Sequence, residues 1–234
     1  MSTIHLSGND HTAVSGTQTA PKSKTRHLVV CGVVAGPLYL LVALAQALSR
    51  PGFDVIHDDV SLLSNGALGW IQIANFILTG ILVIAFAVGL REALAGGRGR
   101  TWAPILMIVY GVGLIGAGVF VADPMNGFPV GASQPTHITM RGLMHAVSGG
   151  MGFIGLMSAC IVVARRFRSV GREGLSYFSA VTGIVFFLAF AGIASGSSSA
   201  TVVLAFWCAV ILSWAWTASL AITALHRPET FQAR

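Results

Sequence analysis

The sequence is poor in charge. Only 9% of its 234 residues are Asp, Glu, Lys or Arg, whereas 54% are hydrophobic, and the mean hydropathy is +0.77. A soluble globular domain carries about 25% charged residues, and a disordered chain has far less apolar content than this one. The composition therefore excludes both classes for most of the chain and predicts a membrane domain.

Cysteine and the familiar cofactor motifs are also scarce. The three cysteines, Cys31, Cys160 and Cys208, all lie in apolar stretches, and no CxxC spacing occurs. Neither a disulfide framework nor a thiol redox site is indicated. HExxH is absent, and no Walker or GxGxxG motif stands in the required context. We therefore expect neither haem nor a nucleotide, while a divalent metal stays open.

What the sequence does contain is six apolar stretches of spanning length. Each is close to the roughly 20 residues that a helix needs to cross about 30 Å of hydrocarbon. They run over Leu28–Leu48, Trp70–Leu90, Trp102–Val121, Leu143–Ala164, Leu175–Ala194 and Val202–Ala224. We predict an all-α polytopic membrane protein, with a six-helix transmembrane domain over residues 28–225.

The basic residues predict which side each loop faces. Twelve of the fourteen Lys and Arg residues lie in the two tails and in the second and fourth loops, leaving only Arg50 and Arg141 elsewhere. By the positive-inside rule the basic segments are cytoplasmic. We expect a multi-pass plasma-membrane protein with both termini in the cytoplasm. The net charge of +6 is then explained by anionic lipid beside the loops, so no nucleic-acid partner is expected.

The two ends of the chain are predicted to be tails. Residues 1–27 are rich in Ser, Thr, Gly and His and predict a disordered cytoplasmic tail, and residues 226–234 predict a short one. A signal peptide is the alternative for the first apolar stretch, because Ala43, Ala45 and Ala47 have cleavage-site spacing. The long polar leader and the spanning length of the stretch favour a retained helix.

Glycine is abundant, with 28 residues, and predicts close helix packing. Gly32 and Gly36 form a GxxxG pair before Pro37, which is expected to kink the first helix. Further glycines cluster at 111–118 and 149–155, so helices one, three and four are expected to pack together. The plainer explanation is that glycine is frequent in membrane helices. Three tryptophans of helix six are expected to face lipid or the interface: Trp207, Trp214 and Trp216.

Polar residues concentrate on the side predicted to be outside. The first, third and fifth loops along the chain are the ones predicted to be outside. The first loop contains Asp58 and Asp59, and the third loop contains Asp123 followed by Pro124. The plain interpretation of Asp58 and Asp59 is a solvated acidic loop. That of Asp123 and Pro124 is the end of a helix followed by a turn. The alternative is a group of carboxylates that binds a cation or neutralises the outer arginines.

Two helices that start on that side carry polar stripes. Gln72, Asn75 and Thr79 lie at offsets of three and seven, which places them on one face of helix two. In helix four His145, Ser148 and Gly152 repeat these offsets, with Arg141 one turn before the histidine. Because hydrogen-bonding groups avoid lipid, both stripes should face inward. For His145 the alternatives are a structural hydrogen bond and a ligand-binding role.

At these residues the sequence resembles a bacterial membrane family catalogued as domain of unknown function 998. The likeness is carried by Ser61-Leu-Leu-Ser64-Asn65-Gly66 leading to Gly69-Trp70 and Asn75, by Asp123-Pro124 through Phe128-Pro129-Val-Gly131, and by Gly142-Leu-Met-His145. The resemblance covers most of the chain. It implies a six-helix integral membrane protein and no particular activity.

Our leading hypothesis is a polar cavity that opens outward. It would be formed by the first and third loops of the chain, both predicted to be outside, and by the outer halves of helices two and four. Its ligand would be a small polar molecule, an ion or a lipid headgroup. The expected lining consists of Asp58, Asp59, Asp123, Arg141 and His145, with Gln72 and Asn75 orienting the ligand from below.

Other functions stay open at this point. A membrane-embedded lipid hydrolase would hold a metal with His145, Asp123 and either His57 or His137, leaving one position for water. A small transporter would fit the matched offsets and Pro37, although no charged residue lies near the bilayer midplane. An assembly or scaffold protein would need only the glycine faces. The sequence settles neither enzymatic activity nor oligomeric state.

Overall fold

The computed structural model describes residues 23–94, 96–97 and 99–231, and within them the chain forms six long α-helices and no strand. The helices are α1 Ser23–Ser49, α2 Gly69–Ala93, α3 Trp102–Val119, α4 Met140–Ser169, α5 Glu173–Ala194 and α6 Ala200–His226. Each is long and apolar enough to cross a membrane. Helices satisfy their own backbone hydrogen bonds, as a segment in hydrocarbon must. The prediction of six spanning helices is confirmed.

The helix ends differ from the apolar stretches by a few residues. Residues 1–22 and 232–234 of the predicted tails lie outside the described residues, as does Arg98. The last five residues of the predicted N-terminal tail belong to α1, which continues through Pro37 to Ser49. Beyond α6, a 3₁₀ turn over Pro228–Phe231 packs against the end of α4, where the rings of Phe231 and Phe167 stack at 5.4 Å.

The six helices pack in chain order around a ring, and α6 returns to contact α1. Three connections, α1–α2, α3–α4 and α5–α6, lie at one end of the bundle, which we call the long-loop side because the first two span residues 50–68 and 120–139. The opposite end, the basic side, has the short connections and most of the described Lys and Arg residues.

Glycine gives the closest helix contact, between α3 and α4. A Cβ on Gly113 would lie 2.5 Å from the Cα of Gly152 and 2.7 Å from the carbonyl oxygen of Ser148. Such contacts are typical of membrane helices, where small residues let backbones approach. The predicted packing of helices three and four is therefore confirmed.

The prediction that helix one joins this group is wrong. In the ring, α1 packs against α2 and α6. Gly32 contacts Phe86 of α2 and Ala221 of α6, and Gly36 contacts Trp214 of α6. A GxxxG pair indicates close approach but carries no information about which helix approaches.

The tryptophans of α6 are buried rather than lipid-facing, which corrects a second expectation. Trp207, Trp214 and Trp216 are only 5%, 2% and 1% exposed. Trp214 lines the interior of the ring, and Trp216 donates its indole N–H to the Ser179 hydroxyl of α5 at 3.0 Å. The exposed tryptophan and tyrosine residues lie instead near helix starts, as expected of an interfacial belt: Trp70, Trp102 and Tyr177.

Candidate functional site

Arg50 organises the first connection on the long-loop side. Its guanidinium donates to the carbonyl oxygens of Leu63 and Asn65, the latter at 2.6 Å, and lies 4.7 Å from the centre of the Phe128 ring. The two guanidinium donors of Arg50 thus hold the 3₁₀ turn Val60–Ser64 against the end of α1. The contact with the Phe128 ring joins the arginine to the α3–α4 connection. The arginine is buried and acts as an internal brace.

A second link between these two connections is made by Asp58. Its carboxylate accepts from the backbone N–H of Asp54 at 2.8 Å and from the Nδ2 of Asn126 at 3.2 Å. Asn126 also donates to the His57 carbonyl at 3.0 Å and adopts a positive φ of 53°. Burial of Asp58 raises the pKa of its carboxyl group above the ordinary value. Asp58 is therefore a buried structural group between the loops.

The neighbouring acids have local partners. Asp59 caps the 3₁₀ turn and accepts from the backbone N–H of Ser61 at 3.0 Å. Asp54 is exposed and lies 2.8 Å from the Nδ1 of His57. Neither Arg50 nor Arg141 forms an ion pair with a carboxylate of the described residues, so the expected neutralisation of these arginines is not found there.

Asp123 sets the start of α4. Its two carboxylate oxygens accept from the backbone N–H of Thr139 at 2.8 Å and from the Thr139 hydroxyl at 2.6 Å. Thr139 in turn caps the helix by accepting from the backbone N–H of Gly142 at 3.0 Å. A Cβ on Gly142 would lie 2.2 Å from an oxygen of Asp123, so a larger residue here would displace that carboxylate.

His145 joins α4 to the end of α3. Its Nδ1 lies 2.7 Å from the carbonyl oxygen of Phe120 and 3.0 Å from that of Ala117. Because both neighbours are acceptors, Nδ1 carries the proton, and in the neutral ring Nε2 is left with its lone pair. The side chain thus has a structural bond at one nitrogen and an acceptor at the other.

The polar stripe of α2 faces α1, which confirms that it points inward. Gln72, Asn75 and Thr79 are buried. The Oε1 of Gln72 accepts from the Nε2 of Gln46 at 2.9 Å, and the Nδ2 of Asn75 donates to the Tyr39 carbonyl at 3.1 Å. These side chains connect two helices within the apolar span.

A cavity of about 750 Å³ lies inside the ring and opens on the long-loop side. Its mouth is polar and its walls, deeper in the bundle, are aromatic and aliphatic. The mouth includes His57, Asp59, Asp123, Asn126, His137, His145 and Ser197, and the walls include Phe76, Leu114, Phe153, Phe186, Phe206 and Val210. The volume falls within the range of small-molecule binding sites.

The structure brings some of the predicted residues to this cavity and leaves others outside its lining. Asp59, Asp123 and His145 contribute to the mouth. Four predicted ligand-binding residues do not line it, since they are engaged elsewhere or turned outward: Asp58, Gln72, Asn75 and Arg141. That any of them binds a ligand stays a prediction.

The four candidate metal ligands all reach the cavity. His57, Asp123, His137 and His145 are part of its lining. Within the described part of the chain, however, no three His, Cys, Asp or Glu side chains are grouped so that they could hold a metal ion. Both oxygens of Asp123 already bond to Thr139.

Sequence reasoning missed the deepest residues of the cavity. Tyr39 of α1, Tyr110 of α3 and Trp214 of α6 line it far from the loops. Tyrosine and tryptophan in membrane helices usually lie at the interface. Their position in the middle of three apolar stretches was the signal that could have identified them.

The six spanning helices and the polar-mouthed cavity define a multi-pass membrane protein. Residues 33–223 match the model of the family described as "Protein of unknown function (DUF998)". This covers well over half of the chain, which therefore belongs to that family, as the resemblance implied. No curated protein and no solved structure matches the chain.

Proposed function

We propose that this protein binds an amphiphilic, lipid-like molecule in the cavity of the helix ring. The observation that carries the proposal is the division of the lining: hydrogen-bonding groups from the loops surround the mouth, and aromatic and aliphatic side chains surround the body. An apolar pocket with a few polar groups at one place binds ligands that have the same two parts. Apolar atoms of the ligand would contact Phe76, Phe153 and Phe186.

Open space beside α4, in the apolar part of the cavity, supports binding of a lipid chain. A Cβ on Gly149 would meet no atom of another described segment within 4 Å, and one on Gly150 would meet only the ring of Phe190, at 3.7 Å. Both glycines line the cavity and are half-buried. Gly149 lies nine residues after the start of α4, about 14 Å along the helix, which is within the apolar span. The open space beside Gly149 is therefore at a depth where lipid chains lie.

We place the mouth of the cavity at the outer surface of the plasma membrane, with both termini in the cytoplasm. The support is the charge distribution: the described Lys and Arg residues on the long-loop side are Arg50 and Arg141, whereas the basic side holds Arg91, Arg100 and the arginines at the end of α4. The ligand is then a component of, or arrives through, the outer leaflet.

Native mass spectrometry of the full chain in mild detergent tests the proposal. The probe is a phosphatidylglycerol with 16- and 18-carbon chains, titrated into delipidated protein. Gly149→Trp should weaken the binding of this lipid by tenfold or more, because the indole would occupy the open space of the cavity beside residue 149. Gly174→Trp is the matched control: Gly174 is also a helical glycine with open space at its Cβ position, but it lies outside the cavity lining.

The two outcomes differ clearly. Selective loss in Gly149→Trp supports binding in the cavity. Equal binding by wild type and both variants would mean that the lipid is held on the outer surface of the bundle and would overturn the proposal. The metal-dependent hydrolase, transporter and scaffold hypotheses stay predictions from the sequence, and no contact described above favours one of them.

A further inference from the structure

The floor of the cavity is formed by three aromatic side chains from three different helices. The ring of Trp214 on α6 lies 5.3 Å from that of Tyr39 on α1 and 5.8 Å from that of Tyr110 on α3. A fourth ring, Phe76 of α2, lies 5.9 Å from Tyr39. All four residues line the cavity. Aromatic faces at these separations form a surface on which a flat ring can pack.

The polar atoms of this floor have no hydrogen-bond partners within the described part of the chain. Among the described residues, neither the Tyr39 nor the Tyr110 hydroxyl makes a hydrogen bond, and the indole N–H of Trp214 is buried without an acceptor. Buried polar groups are normally bonded, and leaving one unpaired costs free energy. Of the three groups, the Trp214 N–H is fully buried, and the two hydroxyls belong to buried residues that line the open cavity, where an acceptor of a ligand can reach them.

The floor is deep in the apolar span. Tyr39 lies ten residues before the end of α1 and Tyr110 nine before the end of α3, so each is about 14 to 15 Å from the long-loop end of its helix. Of the described residues that line the cavity at this level, none is charged. A charged ligand group would be costly there, whereas a neutral oxygen can accept from a phenol at little desolvation cost.

We propose that this floor is a subsite for a flat, neutral, carbonyl-bearing ring of an amphiphile whose aliphatic tail lies along the apolar wall beside Gly149. The carbonyl oxygen accepts from the hydroxyls of Tyr39 and Tyr110, and the ring packs on Trp214. Tail-bearing quinones have this chemistry. The inference rests on the proposed binding of an amphiphile in the cavity. It adds one neutral polar group, held innermost on the floor, to the polar groups that the loops would bind at the mouth.

The test uses two probes that share a ring and a tail and differ in the carbonyl groups: a decyl-tailed benzoquinone and decylbenzene. Binding of each to the delipidated full chain is titrated by native mass spectrometry. Tyr39→Phe and Tyr110→Phe should each weaken quinone binding about fivefold, the loss expected for one neutral hydrogen bond, and leave decylbenzene unchanged. Tyr177→Phe is the control, because Tyr177 is exposed and lies outside the cavity lining.

The variants should fold, since each removes a hydroxyl that has no partner within the described chain. Quinone affinities equal to that of wild type in both phenylalanine variants would overturn the subsite while leaving the cavity proposal intact. If Gly149→Trp binds both probes as wild type does, neither enters the cavity, and the proposed function fails together with the subsite.

Discussion

The amide of Gln46 on α1 donates from Nε2 to the Oε1 of Gln72 on α2 over 2.9 Å, and both side chains are buried within the apolar span. Asn75 donates to the same oxygen at 3.3 Å. Replacing Gln72 by Leu removes both of these hydrogen bonds and leaves Gln46 and Asn75 with only their bonds to the carbonyls of Val42 and Tyr39. We expect Gln72→Leu to lower the free energy of unfolding by about 1–3 kcal/mol, measured by detergent-induced unfolding.

A double-mutant cycle isolates the interaction free energy between Gln46 and Gln72. Gln46→Leu should cost less in the Gln72→Leu background than in wild type, with a coupling of about 0.6 kcal/mol, the average for hydrogen bonds between membrane helices. Strictly additive losses would show that the two amides do not interact. Hydrogen-bonded polar pairs at this depth explain why the stripe of α2 faces a neighbouring helix rather than the cavity.

The contact between α3 and α4 predicts a strong dependence on one glycine. Gly113→Ala places a methyl group against the backbone of Gly152, which cannot yield as a flexible side chain would. We expect a loss of about 1–3 kcal/mol in the free energy of unfolding, as for other overpacked positions. Gly149→Ala, three residues from Gly152, is the matched control. It has open space, so its stability should be unchanged or raised by up to about 1 kcal/mol through helix propensity.

Arg50 should be essential for order in the first connection. Arg50→Lys keeps the charge but loses the fork that reaches the carbonyls of Leu63 and Asn65. We expect amide hydrogen exchange in residues 54–66 to become about tenfold faster, because charge-assisted bonds of about 1.5 kcal/mol or more are lost. In the control Arg141→Lys the side chain is exposed, and exchange in this segment should stay as in wild type.

The helices could be predicted from the sequence because spanning segments are determined by composition and length. Their arrangement could not. Each helix is apolar around most of its circumference, so periodicity does not identify its inner face. This explains the error at Trp207, Trp214 and Trp216, whose burial depends on the rotation of α6 in the ring.

The candidate site was predicted only at its mouth. Asp59, Asp123 and His145 could be found because polar residues next to a span are conspicuous. Tyr39 and Tyr110 were not predicted, because in the sequence each is a single tyrosine within an apolar stretch. Their meeting at one floor depends on contacts between helices that are distant in the chain, and no local pattern records such contacts.

Orientation can be tested with two single substitutions on opposite ends of the bundle. Ser198 lies in the α5–α6 connection and Arg100 in the α2–α3 connection, and both are exposed. In intact cells a membrane-impermeant maleimide should label Ser198→Cys, and Arg100→Cys only after lysis. The unchanged protein controls for background, since its three cysteines lie within helices. The reverse pattern would place the cavity mouth in the cytoplasm.

Two neighbouring carboxyl groups should respond to pH in opposite directions. Burial raises the pKa of Asp58 above the ordinary 3.8, so its contribution to stability is complete below that value and is lost as the pH rises through the raised pKa. The hydrogen bond from His57 lowers the pKa of Asp54, so its contribution is present above 3.8 and is lost as the pH falls through the lowered pKa. Asp58→Asn and Asp54→Asn remove these two contributions.

We therefore expect the free energy of unfolding of wild type, relative to Asp58→Asn, to fall as the pH is raised from about 4 to 7. Relative to Asp54→Asn it should instead fall as the pH is lowered below about 4. Detergent-induced unfolding at several pH values measures both differences. Two differences with the same slope would mean that Asp58 is hydrated in the folded protein, and Asp58 would then not be the buried link to Asn126 between the two connections.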